Sequence, residues 1–431
     1  MKSFNILDFG AVSGGKNVTR EIQSTIDACF LAGGGEVVIP AGEFTVGCIR
    51  LRSNITLHLL ENAALVGSRD PEDYFSYLDD KVEPISDEER EHTVPTVVEG
   101  AKVGRSAKPY SRWNNAIIRV LHAKNIAIIG EPGSRIDGRN CYDSIGEEGY
   151  RGPHPINMWY CENIDLRGYT IIDGGNWGHA IQNSQNITVH NVTVYGGHDG
   201  FDVRTCDNIL IEDCTFESGD DCIAGFDNIG VTVRRCTLIS ACSLMRFGGT
   251  DVLVEDCTGH AATRYGFRKN LTDEKKIAGA PTDETCRHNC HTVFLYYCDN
   301  RAKIRKTPGN ILIRNCKFDN VDAIFNLPFG HIWACNKSLD NIRFENSEFT
   351  RLHLPTNILS PDGEPLALTI RDCKLTFADD YGDAPLAVAS GHKLLRLENL
   401  DIENADTRWI DAKTDGKIEI VNSGDIKICA S

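Results

Sequence analysis

The segment NILIEDCTF, residues 208–216, alternates apolar and polar residues and ends in a polar residue followed by small or apolar ones. The pattern recurs as NIAIIG, NIDLRGYTI, NITVHNVTV, NIGVTVRRCTL, DVLVEDCTG, NILIRNCKF and NIRFENSEF, which begin at residues 125, 163, 186, 228, 251, 310 and 341. Alternation with a period of two predicts short strands, and the Gly, Asn and Asp residues between them predict turns.

The length of the repeat selects the fold. Cys214, Cys236 and Cys257 recur at a nearly constant interval. This period of about 22 residues, with only strands and turns inside it, predicts an all-β fold: a right-handed single-stranded parallel β-helix, or solenoid. A leucine-rich repeat would need a leucine framework, and a β-propeller blade would need roughly twice the length. In stacked coils the three cysteines form an internal ladder with a spacing of ~4.8 Å.

The N-terminal region predicts a short capping helix for the open end of the solenoid. Thr19 precedes the amphipathic run EIQSTIDACFLAG, and Gly33 to Gly35 close it, which is typical of an N-cap residue and a glycine stop. The repeat lapses in a polar excursion at about 78–110 and in an insertion at about 269–290. No linker divides the chain, so residues 1–431 are predicted to form a single β-helix domain.

Composition excludes several classes of protein. A formal net charge of −16 disfavours binding to nucleic acid or to an anionic membrane surface. No apolar run reaches the ~18 residues that a membrane span needs, and the first residues lack the apolar core of a secretory signal. The 17 cysteines lie mostly in strand-like runs, which favours free thiols in a cytoplasmic protein. Homo-oligomerisation stays open.

The coil period also aligns the acidic motif ESGDDCIAGFD, residues 217–227, with its neighbours. Equivalent coil positions are held by Val192, Cys214 and Cys236. Seven residues later come Asp199, Asp221 and Ser243, and six residues later come His198, Asp220 and Cys242. Three carboxylates are therefore predicted to gather on one side of the stack. Such a cluster suits proton transfer in glycosidic cleavage, while a solvated acidic turn and a calcium site are the alternatives.

These residues carry a resemblance to glycoside hydrolase family 28, the polygalacturonase-like enzymes of the pectin lyase-like superfamily. SGDDCIA at 218–224 is similar to the family's Gly-Asp-Asp motif, GGHDGFDV at 196–203 occupies the place of its Asn-Thr-Asp-Gly motif, and YGFRKN at 265–270 resembles its Arg-Ile-Lys segment. The resemblance also takes in DFGAVSGGKN, IPAGEFTVG, NIAIIGEPGSRIDGRN and RGPHPINMWYCENIDLRG, and covers roughly residues 4 to 350.

The resemblance implies roles for these residues. Asp220 would be the general acid, and Asp199 and Asp221 would orient and deprotonate the attacking water, with inversion at the anomeric carbon. Arg268 and Lys269 would bind a carboxylate on the sugar. It implies no cofactor and no metal, an oligosaccharide as partner, and a part in pectin degradation by exo action on short, imported α-galacturonide-like substrates.

The chain departs from the family pattern beside the aspartates. Gly197 and His198 stand where the family has Asn and Thr, and Cys242 stands where it has the histidine of a Gly-His-Gly segment. His198, Cys242 and Arg246 are therefore further candidates for contact with the substrate. Hydrolysis is expected to be retained, while the sugar bound at the point of cleavage need not be galacturonic acid.

Two alternatives to hydrolysis stay open. A lyase or epimerase on this scaffold would need a base to abstract the proton next to the uronate carboxyl group, and often calcium. A non-catalytic carbohydrate-binding β-helix would bind sugar without Asp220. Separately, CRHNCH at 286–291 offers Cys286, His288, Cys290 and His291, which are metal-ligand types, although a loop with histidines beside the site accounts for them equally.

Overall fold

The computed structural model describes residues 2–74, 111–261, 263–280, 290–299, 303–327, 339–360, 366–405, 408–413 and 416–430. The chain divides into two compact units. The N-terminal unit comprises Met1–Leu210, Glu217–Gly219 and Arg264–Cys286, and the C-terminal unit comprises Ile211–Phe216, Asp220–Thr263 and Arg287–Ser431. The single-domain arrangement stays a prediction, and the excursion at 78–110 lies outside the described residues.

The N-terminal unit carries strands of two parallel sheets. Those of the larger sheet are Ser3–Asn5, Gly35–Ile39, Ile49–Leu51, Ile55–Leu59, Ala116–Leu121, Lys124–Gly130, His154–Trp159, Glu162–Arg167, His179–Gln182, Gln185–His190 and Phe201–Arg204. Those of the smaller sheet are Gly42–Val46, Ala63–Gly67, Arg135–Asp137, Thr170–Ile172 and Thr193–Gly196. Two further strands, Asp207–Glu212 and Thr215–Ser218, contribute residues to both units.

The C-terminal unit repeats this organisation. Its larger-sheet strands are Ile223–Arg234, Ser243–Glu255, Cys290–Tyr296, Gly309–Arg314, Val321–Leu327, Leu339–Glu345, Thr356–Leu359, Leu366–Arg371, Ala387–Ser390, Leu394–Glu398, Trp409–Ala412, Lys417–Val421 and Lys427–Cys429. Its smaller-sheet strands are Thr237–Ser240, Thr258–His260, Lys317–Asp319, Glu348–Leu352, Lys374–Phe377 and Asp401–Glu403.

The strand register confirms the coil period. His179 pairs with Phe201 and Ile223 pairs with Met245, so each residue lies beside the one that follows it by a single sequence repeat. The separation in sequence between paired residues shortens by one after a register shift between Gly225 and Asn228. Thr237 accordingly pairs with Thr258. In both sheets each strand pairs in parallel with the equivalent strand of the next coil, which is the organisation of a parallel β-helix. The predicted all-β fold class is confirmed.

The cysteine ladder is confirmed as part of the core. Cys214, Cys236 and Cys257 are each about 1% exposed, and the main-chain N of Cys236 donates to Cys257 Sγ over 3.4 Å. The thiols therefore act as small apolar groups that fill the interior of successive coils.

An asparagine ladder turns the chain at the start of successive strands. Asn125, Asn163, Asn186 and Asn208 have φ between 55° and 58°. The side-chain amides of the last three each donate to the carbonyl oxygen of the preceding Asn in this series, over 2.9 to 3.0 Å. Asn tolerates the left-handed conformation because its short amide can hydrogen-bond locally. The repeated Asn-Ile dipeptide in the sequence marks this turn.

The predicted N-terminal helix is present at Thr19–Leu31 and buries Ile22, Ile26 and Cys29. The prediction of Thr19 as N-cap is wrong. Val18 is the N-cap residue, and the Asn17 side chain accepts from the Thr19 N–H over 3.0 Å, while Thr19 Oγ1 accepts from the Gly47 N–H over 2.7 Å. The Thr19 hydroxyl thus ties the helix to the first coils instead of capping it.

The remaining helices are short. The 3-10 helices are Ile6–Phe9, Pro71–Tyr74, Arg112–Asn114, Glu147–Gly149 and Arg268–Asn270. The predicted insertion after 269 begins with the helix Asp273–Ala278. Across the described residues, every helix is too short or too polar to cross a bilayer.

Candidate active site

Asp220 and Asp221 lie in the turn that precedes strand Ile223–Arg234. Asp221 is 1% exposed, whereas Asp220 is half-buried. Ser240 fixes this turn, because its hydroxyl donates to the Asp220 main-chain oxygen over 2.6 Å and accepts from the Cys242 N–H over 2.7 Å. The pair is thus not a solvated turn: one carboxylate is enclosed and its neighbour is accessible.

The buried carboxylate has a matched cation. Arg246, on strand Ser243–Glu255, donates through Nε to Asp221 Oδ2, and its guanidinium lies 4.3 Å from the centroid of the Tyr297 ring. Among the described residues Asp221 Oδ1 is buried without a hydrogen-bond partner. An ion pair held in place on an aromatic ring compensates the charge of a carboxylate that is removed from water.

Cys242 completes this group. One oxygen of Asp220, one oxygen of Asp221 and the Cys242 sulfur all lie within 4.8 Å of one another. Burial raises the pKa of the Cys242 thiol well above its usual value, and the charges of Asp221 and Asp220 raise it further. Cys242 is therefore a neutral thiol at physiological pH, and His291 Nδ1 lies 3.9 Å from its sulfur.

His198 and Asp199 belong to the N-terminal unit, where both are buried, at 3% and 2% exposure. Arg151 donates through Nη1 to His198 Nδ1 over 3.1 Å. Since a guanidinium has no acceptor, Nδ1 carries no proton and Nε2 is the protonated nitrogen. Burial lowers the pKa of His198 well below its usual value, and the charges of Arg151 and Arg268 lower it further. His198 is a neutral imidazole.

Arg268 and Lys269 differ from the arrangement that the family resemblance implies. Arg268 is 1% exposed and gives its Nη1 hydrogens to the main-chain oxygens of Gly175 and Cys141 at 3.2 and 3.4 Å, while Nη2 donates to main-chain oxygens of Asn140 and Lys276. Burial lowers its pKa to about 10. Its terminal amino groups are thus engaged by the backbone.

Lys269 lies at the surface and pairs with Glu148 Oε1 over 2.9 Å. Burial acts to raise the pKa of Glu148, but Arg151 and Lys269 hold it below its usual value. Binding of a sugar carboxylate by Arg268 and Lys269 therefore stays a prediction. It would require Arg268 to give up hydrogen bonds to main-chain oxygens and Lys269 to leave Glu148.

Sequence reasoning missed how other arginines are held. Arg264 forms a two-pronged pair with the buried Glu217, at 2.8 Å for the Nη2–Oε2 contact, and lies 5.1 Å from the Tyr195 ring, which itself stacks on Tyr265. Arg204 binds both oxygens of Asp202. Arg151, which contacts His198, was not predicted at all. Arg264 and Arg151 each lie 47 residues from their partners, Glu217 and His198, so these two contacts leave no local signal in the sequence.

Each unit thus gathers part of the predicted site. The C-terminal unit brings together Asp220, Asp221, Cys242 and Arg246, and we call this group the acidic cluster. The N-terminal unit holds His198 and Asp199 in the same buried segment, with Arg151 and Arg268 around the imidazole, and we call this group the imidazole cluster. Of the CRHNCH motif, Cys290 is buried and His291 is exposed, while Cys286 and His288 lie outside the described residues.

Residues 88–263, which include Asp199, Asp220 and Asp221, match the family model "Glycosyl hydrolases family 28". This match confirms the resemblance to family 28 that the motifs predicted.

Curated relatives agree with this family. A probable polygalacturonase of Vitis vinifera is 26% identical over 286 residues, which is 59% of this chain and 54% of that protein. An exo-poly-alpha-D-galacturonosidase of Dickeya chrysanthemi is 25% identical over 258 residues, 52% of this chain and 41% of that protein. The chain therefore matches about half or less of the length of these relatives.

Solved structures share the fold. A hyperthermoactive exopolygalacturonase from Thermotoga maritima matches with a TM-score of 0.65 at 16% identity, over 93% of this chain and 91% of that one. A family 28 exopolygalacturonase of Yersinia enterocolitica matches with a TM-score of 0.60 at 16% identity, over 99% of this chain and 78% of that chain. The fold is a right-handed parallel β-helix.

Proposed function

We propose that the chain is an inverting glycoside hydrolase that acts from the end of short α-galacturonide-like or related pectic oligosaccharides. The observation that carries the proposal is the acidic cluster, in which two adjacent carboxylates of unequal exposure lie within 4.8 Å of each other. Glycosidic cleavage needs two carboxyl groups in different protonation states, and unequal environments produce that difference.

The exposures assign the roles. Half-buried Asp220 is the carboxyl group that a glycosidic oxygen can reach, so Asp220 protonates the leaving group. Asp221, enclosed and ion-paired with Arg246, accepts a proton from the attacking water. A part for Asp199 in this task stays a prediction from the sequence, in which it holds the position of Asp221 one repeat earlier. Inversion is what the family resemblance implies; it does not follow from the spacing of Asp220 and Asp221, whose oxygens lie within 4.8 Å, closer than the ~6.5–9.5 Å of an ordinary inverting pair.

The kind of substrate follows from the family and from charge. Relatives named as polygalacturonase or exo-poly-alpha-D-galacturonosidase support a galacturonide. A net charge of −16 disfavours a long polyanion, which supports a short oligosaccharide. The cytoplasmic location stays a prediction, and it is supported by the free cysteines, of which Cys429 is the exposed one among the described residues.

Product analysis by NMR tests the proposal. The protein is incubated with di- to tetragalacturonide and with related neutral oligosaccharides, with and without chelator, and the first product is observed before it mutarotates. We expect a saturated monosaccharide of inverted anomeric configuration, formed at the same rate with chelator present.

Two outcomes would contradict the proposal. An unsaturated product that disappears with chelator would assign the chain to lyase chemistry. Binding of the oligosaccharides without any product, unchanged by Asp220→Asn, would assign it to non-catalytic carbohydrate binding.

A further inference from the structure

Three residues with metal-binding side chains stand on successive coils of the C-terminal unit. Ile223 pairs with Met245 and Ser243 pairs with Thr292, and extending these registers backwards pairs Asp220 with Cys242 and Cys242 with His291. The His291 N–H donates to the Cys242 main-chain oxygen over 2.6 Å, so the two residues lie side by side on adjacent coils. Equivalent positions on adjacent coils direct their side chains to the same side of the sheet.

The side-chain atoms of this column converge. The Cys242 sulfur lies within 4.8 Å of an oxygen of Asp220 and of Asp221, and 3.9 Å from His291 Nδ1. Atoms that bind one zinc ion at 2.0 to 2.3 Å lie roughly 3.3 to 3.8 Å apart, so these side chains would have to draw closer together, and the His291 ring would have to turn toward the carboxylates. Buried Asp221 Oδ1, which lacks a hydrogen-bond partner among the described residues, is an acceptor that a cation in this group could use.

We propose that Asp220, Asp221, Cys242 and His291 bind one divalent transition-metal ion of the zinc class. A thiolate, an imidazole and two carboxylate oxygens make a four-coordinate set that suits zinc, while the sulfur disfavours calcium and magnesium. Binding releases the thiol proton to solvent. Arg246 already holds Asp221 Oδ2, so Asp221 contributes its other oxygen.

The site would inhibit the proposed hydrolase. A metal-bound Asp220 carboxylate has no proton to give to the leaving group, so occupancy and catalysis exclude each other. This consequence rests on the proposed function, but metal binding itself does not. The two are therefore separated by measuring binding without any substrate.

Cobalt titration tests the site. Metal-free, reduced protein is titrated with Co²⁺ without oxygen. We expect one equivalent to produce a thiolate-to-cobalt charge-transfer band in the near ultraviolet with visible bands of a four-coordinate ion. Zn²⁺ should displace these bands, and a large excess of Ca²⁺ or Mg²⁺ should not.

The variants decide which residues bind. Cys242→Ser should abolish the charge-transfer band and weaken binding by at least about 10- to 100-fold. Cys429→Ser, which removes an exposed thiol elsewhere, should leave the titration unchanged. His291→Asn changes an exposed side chain, so it should fold normally, keep the band and bind more weakly.

Several results would overturn the proposal: no saturable band in the native protein, an equal band in Cys242→Ser, or equal affinity in His291→Asn. Should Cys242→Ser fail to fold, as judged by its circular dichroism, His291→Asn decides alone. Zn²⁺ binding without loss of hydrolysis would overturn the inhibitory role, and absence of hydrolysis at zero metal would count against the proposed function only.

Discussion

The imidazole cluster and the acidic cluster place a titratable side chain in opposite electrostatic surroundings. His198 and Cys242 follow Val192 and Cys236 by six residues, so they hold equivalent positions in the coil repeat. Arg151 and Arg268 surround the first, and Asp220 and Asp221 surround the second. Cationic neighbours lower the pKa of a histidine and anionic neighbours raise that of a thiol, so both side chains are neutral at pH 7.

The family resemblance predicts a histidine at the place of Cys242, and the comparison indicates what such a histidine would change. A histidine at 242 would gain a positive charge between two carboxylates, whereas the thiol stays neutral. The acidic cluster then depends on Arg246 for the charge that compensates Asp221.

The largest effect should come from breaking the acidic cluster. Asp220→Asn removes the proton donor, so kcat/KM on oligosaccharides should fall by about 10²- to 10⁴-fold, measured by reducing-sugar release. Asp213→Asn, which changes a carboxylate paired with Arg235 at the surface, is the matched control and should retain activity. Equal losses in the two variants would show that Asp220 has no special role.

Removing the cation of the acidic cluster should destabilise the fold. Arg246→Gln leaves the buried Asp221 carboxylate without its ion pair, which costs about 3 kcal/mol of the free energy of unfolding. Urea titration followed by circular dichroism measures this loss. Arg235→Gln breaks a surface pair and should leave the midpoint unchanged. A midpoint for Arg246→Gln that equals that of the native protein would contradict the account of the pair.

The imidazole cluster should make stability depend on pH. Burial lowers the folded-state pKa of His198, of His154 to about 3 and of His179 to about 4, below the ordinary 6.5. Between about pH 4 and pH 6.5 the unfolded chain then binds more protons than the folded chain. The contribution of these histidines to stability is therefore complete above pH 6.5 and is lost as the pH falls. Burial raises the pKa of Asp173 to about 6 and also raises the pKa of Asp137, and both shifts act in the opposite sense.

Urea midpoints between pH 5 and 7.5 measure this dependence. His198→Gln removes one group, which contributes up to ~1.4 kcal/mol per pH unit, so its stability should depend less on pH. Cys242→Ala should keep the native slope, because a thiol with a raised pKa does not titrate in this range. Identical slopes for the native protein and His198→Gln would show that His198 is not buried as a neutral group.

The smallest effect should come from a position outside both clusters. Asn186→Ala keeps a Cβ at φ 56° but removes the amide that hydrogen-bonds there, so it breaks the asparagine ladder and should cost about 1 to 2 kcal/mol. Asn186→Gly removes the amide but tolerates the conformation, and should cost less. Urea titration of the two variants separates the conformational cost from the hydrogen bonds. A larger loss for the glycine would contradict the left-handed turn.

The sequence predicted those features that repeat. Asparagine turns and buried cysteines recur once per coil, so their spacing alone indicated the period, the parallel register and the alignment of Asp220 with Cys242. The cap of the first helix was misassigned because Asn17, Val18 and Thr19 are all close to the boundary and only hydrogen bonds distinguish them.

Contacts that occur once were not predictable. Arg151 reaches His198 and Arg264 reaches Glu217 across long stretches of chain, through turns whose lengths follow no repeat. Arg268 looked like a substrate-binding residue because its motif resembles one, yet its side chain is buried against main-chain oxygens. The alternation of a strand predicts which side chains face inward, but a turn carries no such rule.

The most direct test of the central claim compares leaving groups. Rates of Asp220→Asn and Asp221→Asn are measured on a digalacturonide and on an aryl α-galacturonide whose phenol departs without protonation. The account predicts that Asp220→Asn loses much less activity on the aryl substrate, since a good leaving group needs no acid, while Asp221→Asn loses activity equally on both. Equal losses on both substrates for Asp220→Asn would contradict the assignment of Asp220 as the general acid.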